Sequence, residues 1–333
     1  MKVLLTGGTG YIGSHTAVEL LKQGYSVEIM DNLFNSKIEV LDKIETITGT
    51  RPVFHKIDLL DKAGMDEMFE KGKYDVVIHF AGLKAVAESV AKPLSYYETN
   101  VGGTLNLLEC MKKYEVKQLI FSSSATVYGD QDGVKLTESM QTGVGITNPY
   151  GETKHVIEEI LKDVVEAEPT FEVTILRYFN PVGAHESGLL GEDPNDVPNN
   201  LMPIVMKVST GEIPELKVYG NDYNTPDGTG MRDYIHVVDL ARGHVAAMRN
   251  MKPGVSIYNL GTGEATSVLQ MVSAFETASG KKLPYALAPR RAGDLAKVFA
   301  DASKAERELG WKTELTITDA MNDTINFLNK SAR

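Results

Sequence analysis

Tyr150 is the one tyrosine in this chain followed four residues later by a lysine, Lys154. On a helix that spacing turns through roughly 400°, so both side chains leave the same face. A free phenol, with a pKa of about 10, is a poor base near neutrality. An ammonium group close by favours the phenolate and moves its pKa toward the working range. The pair therefore reads as a proton-transfer device, or as the outer face of an ordinary helix if nothing else in the chain calls for one. A hydroxyl is available from Phe121-Ser122-Ser123-Ser124, which follows the strand-like run Gln118-Leu119-Ile120. Ligands of open parallel sheets sit at the carboxyl ends of strands, where a serine can hydrogen-bond a reacting hydroxyl. The same serines could instead satisfy a turn.

The second chemical signal is at the start of the chain. Val3-Leu4-Leu5 reads as a buried strand, Thr6-Gly7-Gly8-Thr9-Gly10-Tyr11-Ile12-Gly13 as a glycine turn, and residues 11 to 23 as an amphipathic helix. Strand, turn and helix stand in the order a dinucleotide site requires. Gly7 and Gly8 permit the tight turn. Gly10 lets a pyrophosphate reach backbone N–H groups at the positive end of the helix. Gly13 lets the helix pack closely on the strand. Asp31 stands at the end of a second strand-like run, Val27-Glu28-Ile29-Met30, 18 residues after Gly13. A carboxylate there accepts bonds from a ribose diol and repels a 2′-phosphate, which favours NAD over NADP. Its other use would be to cap a helix.

The elements that must position these groups follow from the pattern. Strand-like segments near 3–6, 26–30, 52–57, 75–80, 117–121 and 172–176 alternate with helix-like segments near 11–23, 36–48, 61–71, 94–113 and 149–167. That alternation predicts an α/β fold, a Rossmann-type doubly wound parallel sheet with helices on both faces. After Arg177 the texture changes. Residues 180 to 230 are rich in Gly, Pro, Asn and Asp, with one helical stretch near 200–210. The reading is residues 1–176 as the nucleotide-binding domain and 177–333 as a smaller mixed α/β substrate domain, with some segments returning to pack on the first. The cleft between them would hold the substrate.

Composition narrows the function. A net charge of −11 argues against nucleic acid or an anionic membrane as main partner. Anionic ligands must then be met by local cations and backbone N–H groups. Cys110 is the single cysteine, so no internal disulfide forms, which fits a reducing, cytoplasmic compartment. Met1 to Leu5 is too short an apolar run for a signal peptide, and no apolar stretch approaches membrane-spanning length. No zinc-type spacing is present, and no metal is expected.

Taken with Asp58 and His79-Phe80-Ala81-Gly82, these features resemble the extended short-chain dehydrogenase/reductases acting on nucleotide sugars, and among them the UDP-hexose 4-epimerases. The likeness covers almost the whole chain. It is carried by Phe80 through Val86, Ser122 through Asp130, Arg177 through His185, Asn199-Asn200-Leu201-Met202-Pro203, and Gly220 through His236. The resemblance implies interconversion of UDP-galactose and UDP-glucose through transient oxidation at C4, with tightly held NAD. Ser124, Tyr150 and Lys154 would be catalytic. Cofactor contacts would come from Gly7, Gly10, Tyr11, Ile12, Gly13, Asp31, Asn32, Asn35, Ser36, Asp58, Leu59, Phe80, Ala81, Lys84, Tyr150, Lys154 and Phe179. Substrate contacts would come from Ser124, Tyr150, Asn180, Asn200, Leu201, Tyr219, Arg232, Arg291 and Asp294, with both arginines facing the diphosphate. Outside those roles the arginines would form surface or interdomain ion pairs, and Tyr219 would be a core aromatic.

Two departures stand out. Where the family commonly has paired asparagines, this chain has Thr99-Asn100, which puts a cofactor contact from Thr99 in doubt. At Val298 the family varies between a bulky aromatic and a small residue. Valine leaves room for an N-acetyl group, which implies activity on the UDP-N-acetylhexosamine pair too. The rivals are a nucleotide-sugar 4,6-dehydratase, an epimerase for another UDP-sugar and a non-catalytic dinucleotide sensor. A dehydratase needs an acid and base where this chain has Ala125-Thr126, and a sensor needs no Ser124, Tyr150 and Lys154 together. The resemblance also implies a homodimer, in which the helices near 94–113 and 149–167 would pair in a four-helix bundle.

Overall fold

Strand β1 (Lys2–Thr6) is apolar at three successive positions because both of its faces are covered. Val3, Leu4 and Leu5 are fully buried in a computed structural model that describes residues 1–331 other than 132, 196, 197, 199 and 292. Four further strands, β2 (Ser26–Asp31), β3 (Val53–Lys56), β4 (Val76–His79) and β5 (Gln118–Ser124), join it in one sheet with Glu172–Tyr178 and Gly254–Leu260. The spatial order is Gly254–Leu260, Glu172–Tyr178, β5, β4, β1, β2, β3, and every neighbouring pair is parallel. The order reverses between β1 and β4. That switch point opens a crevice at the carboxyl ends of the strands, where such sheets bind ligands.

Alternate residues of each strand serve opposite faces. Val3, Leu5 and Ile29 pack with Ala17 and Leu20 of helix α1 (Tyr11–Lys22) and with Leu240, Val245 and Trp311. Leu4, Met30 and Val77 pack on the other side with Phe69, Leu107, Ile157 and Leu161. A separate core holds Val182, Met202, Val205, Tyr234, Phe275 and Met321.

The chain returns to the first sheet after residue 177. Helix Val237–Arg249 packs on α1, and the strand Gly254–Leu260 adds the seventh strand beside Glu172–Tyr178. Three departures from the pattern reading are local. The second helix begins at Val40, not near 36, because the residues after β2 turn around the Asp31 carboxylate. The helix expected near 94–113 is α-helical over Pro93–Tyr96 and Gly103–Lys113, with a π-helical stretch, Tyr97–Gly102, between them. A short helix, Val86–Ala91, precedes it.

Small sheets gather the later residues. Asn180–Val182 pairs with Tyr234–His236, Met231–Arg232 with Lys297–Ala300, and Leu216–Tyr219 with Tyr285–Ala288. In these registers Asn180 lies opposite Tyr234, Arg232 opposite Val298, and Tyr219 opposite Ala288.

Candidate active site

The glycine turn is built by close packing. Gly7 has a φ of 71°, and a Cβ there would stand 2.7 Å from the Ala81 nitrogen. A Cβ on Gly13 would stand 2.4 Å from the Gly7 oxygen, so Gly13 packs on the turn itself more than on the strand. Gly8 lies against the Ile29 side chain. A Cβ on Gly10 would meet only the Gly7 oxygen, at 3.2 Å, which leaves the space before it open. Gly10 is the N-cap of α1, and no side chain caps that helix. Unclaimed N–H groups at a positive helix end, behind a glycine, fit a pyrophosphate.

Asp31 ends β2 beside this turn. Its carboxylate accepts bonds from the Thr9 N–H (3.2 Å), the Leu33 N–H (2.9 Å) and the Ser36 hydroxyl (3.2 Å). Glu39 holds the N-cap position of the second helix, without a side-chain capping bond, so Asp31 is not a helix cap. Asn32 donates to Asp58 at 2.6 Å, and Asn35 and Ser36 lie in the same loop. Leu59 packs beneath Gly103, and Phe80 lies 4.9 Å from the His244 ring. The Tyr11 hydroxyl donates to the Gly183 carbonyl at 2.6 Å, and its neighbour Ile12 packs against the core. These groups fit NAD: a backbone cradle for the pyrophosphate and a carboxylate for the adenosine ribose.

Tyr150, Lys154 and Ser124 converge at the next strand ends. Asn148 caps the helix Pro149–Ala167 by accepting from the Gly151 N–H at 2.9 Å, and Pro149 occupies its first turn. This fixes Tyr150 in that turn. Ser124, the last residue of β5, accepts from the Thr126 N–H (3.2 Å) and hydroxyl (3.0 Å). Lys154 donates to the Ser122 carbonyl at 2.7 Å, with its ammonium 4.9 Å from the Phe121 ring centroid and 6.0 Å from that of Tyr150.

The electrostatics differ from the sequence expectation. Burial pushes the Tyr150 phenol up, and a hydrogen bond with Ser124 only partly offsets this. Burial dominates at both groups: it also lowers the Lys154 ammonium to about 8, against the opposing field of Glu158.

The residues expected to bind substrate lie in several of the later elements. The Arg291 guanidinium lies 3.9 Å above the Tyr219 ring, so Tyr219 is half-buried beneath a cation and not a core aromatic. Arg232 donates to the Met231 and Leu295 carbonyls (2.8 and 2.9 Å) and pairs with Asp294 at 3.6 Å. A Cβ on Gly293 would meet Thr147 at 3.1 Å, which brings the loop with Arg291 and Asp294 beside the start of the Tyr150 helix. Val298 packs with Phe179, Val127 and Ala300. The Asn180 N–H donates to the Asp233 carbonyl at 2.9 Å. Asn200 and Leu201 stand at the start of the helix Leu201–Ser209. Asn199 lies outside the described residues.

Several supports escaped the sequence reading. Asn100 accepts from the Leu83 N–H (2.7 Å) and donates to the Leu83 carbonyl and the Thr153 hydroxyl (3.0 Å each). It ties the Lys84 loop to the Tyr150 helix, and its π-helical setting is the available signal. Glu158 holds Arg177 through two bonds and accepts from Ser123 at 2.5 Å, which fixes β5 to the same helix. The buried carboxylate of Glu192 receives both Lys84 and Asn200.

The chain is similar to known proteins over nearly its whole length. The family model described as GDP-mannose 4,6 dehydratase matches residues 4–324. A UDP-glucose 4-epimerase of Yersinia pestis is 55% identical over 333 residues, covering 99% of this chain and 98% of the relative. The crystal structure of UDP-glucose 4-epimerase from Bifidobacterium longum in complex with NAD⁺ and UDP is 55% identical, with a TM-score of 0.97, over 100% of this chain and 99% of that one. The UDP-Glc/GlcNAc 4-epimerase of Campylobacter jejuni is 33% identical, with a TM-score of 0.85 and 99% of each chain covered.

Proposed function

We infer the function from one premise: the chain belongs to the extended short-chain dehydrogenase/reductase family, among its UDP-glucose 4-epimerases. Its activity is the NAD-dependent interconversion of UDP-galactose and UDP-glucose through a transient 4-keto sugar. The observation that carries the reading of its site is the meeting of Ser124, Tyr150 and Lys154 at the carboxyl end of β5, two strands from the β1 that leads into the glycine turn.

The residue roles follow from that geometry. Ser124 hydrogen-bonds the sugar 4-oxygen, and Tyr150 as phenolate takes its proton. When bound, NAD supplies a hydride acceptor at C4 and a positive ring. Lys154 holds the nicotinamide ribose and adds its charge to stabilise the phenolate, which burial alone disfavours. Glycines 7, 10 and 13 with Asp31 bind the dinucleotide. Arg232 and Arg291 meet the UDP diphosphate, Asn180 and Asn200 the uridine and sugar. The cleft lies between residues 1–176 and 177–333. A dehydratase would need an acid and base after Ser124, where this chain has Ala125 and a Thr126 bonded to Ser124 itself. Tyr150→Phe tests the assignment: kcat falls by about 10²–10⁴, while bound NAD is retained. Near-normal turnover in that variant overturns it.

The small Val298, partly buried against Phe179, supports activity on UDP-N-acetylglucosamine and UDP-N-acetylgalactosamine too. Comparing kcat/KM for both pairs in wild type and Val298→Tyr checks this. The wild type turns over the N-acetyl pair and the variant does not; undetectable wild-type turnover sinks the reading. The exposed apolar residues Val86, Val90, Leu94 and Leu105 support a homodimer through the 94–113 and 149–167 helices. The lone buried Cys110 supports a reducing, cytoplasmic compartment; among the described residues no helix is long and apolar enough to cross a membrane.

A further inference from the structure

Glu192 stands where a carboxylate has little reason to be. It is 7% exposed, at the edge of a cleft whose ligands carry two diphosphates. Burying such a group is unfavourable unless it is paired and hydrogen-bonded, and here it adds like charge to the anions the cleft must hold. Its Oε1 accepts from Lys84 Nζ at 3.2 Å and from Asn200 Nδ2 at 2.6 Å. Lys84 belongs to the loop after β4 that closes on Gly7. Asn200 is the N-cap of the helix Leu201–Ser209, yet its side chain makes no capping bond. Asparagine is among the best capping residues, so its amide forgoes that role in favour of Glu192. The same segment is fastened to the cofactor side twice more, by Asp193 to Lys37 at 2.5 Å and by Asn195 to the Ser36 carbonyl at 3.0 Å. The Lys84 pair is half exposed on the lysine side, which makes it a weak source of stability.

We propose that Glu192 is a positioning residue, the joint that holds Lys84 on the cofactor wall and Asn200 on the substrate wall at a fixed separation. The proposal rests on the UDP-hexose reading above. It makes cofactor retention and sugar binding depend on one carboxylate that touches neither ligand.

The test compares wild type, Glu192→Ala, Glu192→Gln and Lys84→Met, each as full-length protein with UDP-galactose. The readouts are kcat, KM and the NAD retained after gel filtration. Glu192→Ala raises KM about tenfold, the cost of unpairing one buried charged hydrogen bond, and loses NAD faster. Glu192→Gln keeps an acceptor for Asn200 but no charge for Lys84. It holds KM within about threefold, on the scale of one neutral hydrogen bond, and still loses NAD faster. Adding Glu192→Gln to Lys84→Met then speeds NAD loss no further, because Glu192 acts on the cofactor through Lys84. Wild-type KM and NAD retention in Glu192→Gln and Glu192→Ala overturn the proposal, as do Glu192→Gln and Lys84→Met effects that simply add. Glu192→Gln carries the test if the alanine variant does not fold. A wild type that leaves UDP-galactose unchanged fails the underlying reading itself, which separates the two failures.

Discussion

The two walls of the cleft are held in different ways. On the cofactor wall the shape comes from backbone within short stretches. Gly7 and Gly13 leave no room for a Cβ against Ala81 and against the Gly7 carbonyl, and Asp31 is fixed by three neighbours from residues 9 to 36. On the substrate wall the work falls to side chains from distant segments: Arg291 on Tyr219, Arg232 on Asp294, Asn200 on Glu192. A backbone cradle fails when a methyl is added. A side-chain wall fails when a charge is removed. Ser124 at the end of β5, and Tyr150 and Lys154 in the helix Pro149–Ala167, belong to neither pattern.

Three variants sharpen that contrast, in falling order of effect. Lys154→Met removes the shared cation and cuts turnover by about 10²–10⁴, while costing no stability at pH 7. Burial lowers the Lys154 ammonium from 10.5 to about 8. Between those values the unfolded chain binds more protons than the folded one, so wild-type stability rises with pH across about 8 to 10.5. Below that window the buried charge weighs against folding. Denaturation midpoints at pH 7.5, 9 and 10 should climb in wild type and stay flatter in the variant. A wild-type midpoint that falls over that range contradicts the assignment.

Gly13→Ala is next. Its Cβ would stand 2.4 Å from the Gly7 oxygen, so the turn must shift. Overpacking of this kind costs about 1–3 kcal/mol, and NAD content should fall together with the thermal midpoint. Unchanged NAD content would mean that the turn does not form the cradle. Arg291→Ala should do the reverse. Loss of one charge-assisted bond, about 1.5–3 kcal/mol, raises KM for the UDP-sugar by roughly ten- to a hundredfold, with NAD content and midpoint unchanged. If Arg291→Ala lowers NAD content as much as Gly13→Ala does, the two walls are not separable.

The same contrast explains what could be read from the chain. The glycine turn and Asp31 lie within the first 31 residues, so spacing alone places them. The pair Tyr150/Lys154 is local as well, and Asn148 and Pro149 fix its helix. Glu192 was invisible because the stretch around it has no period, and its partners lie 108 and 8 residues away. The strand Gly254–Leu260 completes a sheet begun some 250 residues earlier, a pairing no local pattern announces. The balance at Tyr150 is hidden from the sequence for another reason. Spacing reports that an ammonium is near, but only packing reports that both groups are buried, and burial reverses the balance. Thr99 raised doubt about a cofactor contact. Its neighbour Asn100, the amide that remains, is fully engaged with Leu83 and Thr153.

The most direct test follows the anomeric proton signals of UDP-galactose incubated with the purified protein and no added NAD. The two-walled cleft predicts that UDP-glucose appears, because the cofactor stays in its backbone cradle and is regenerated at each turnover. No UDP-glucose, even after NAD is supplied, would contradict the assignment of this cleft to 4-epimerisation.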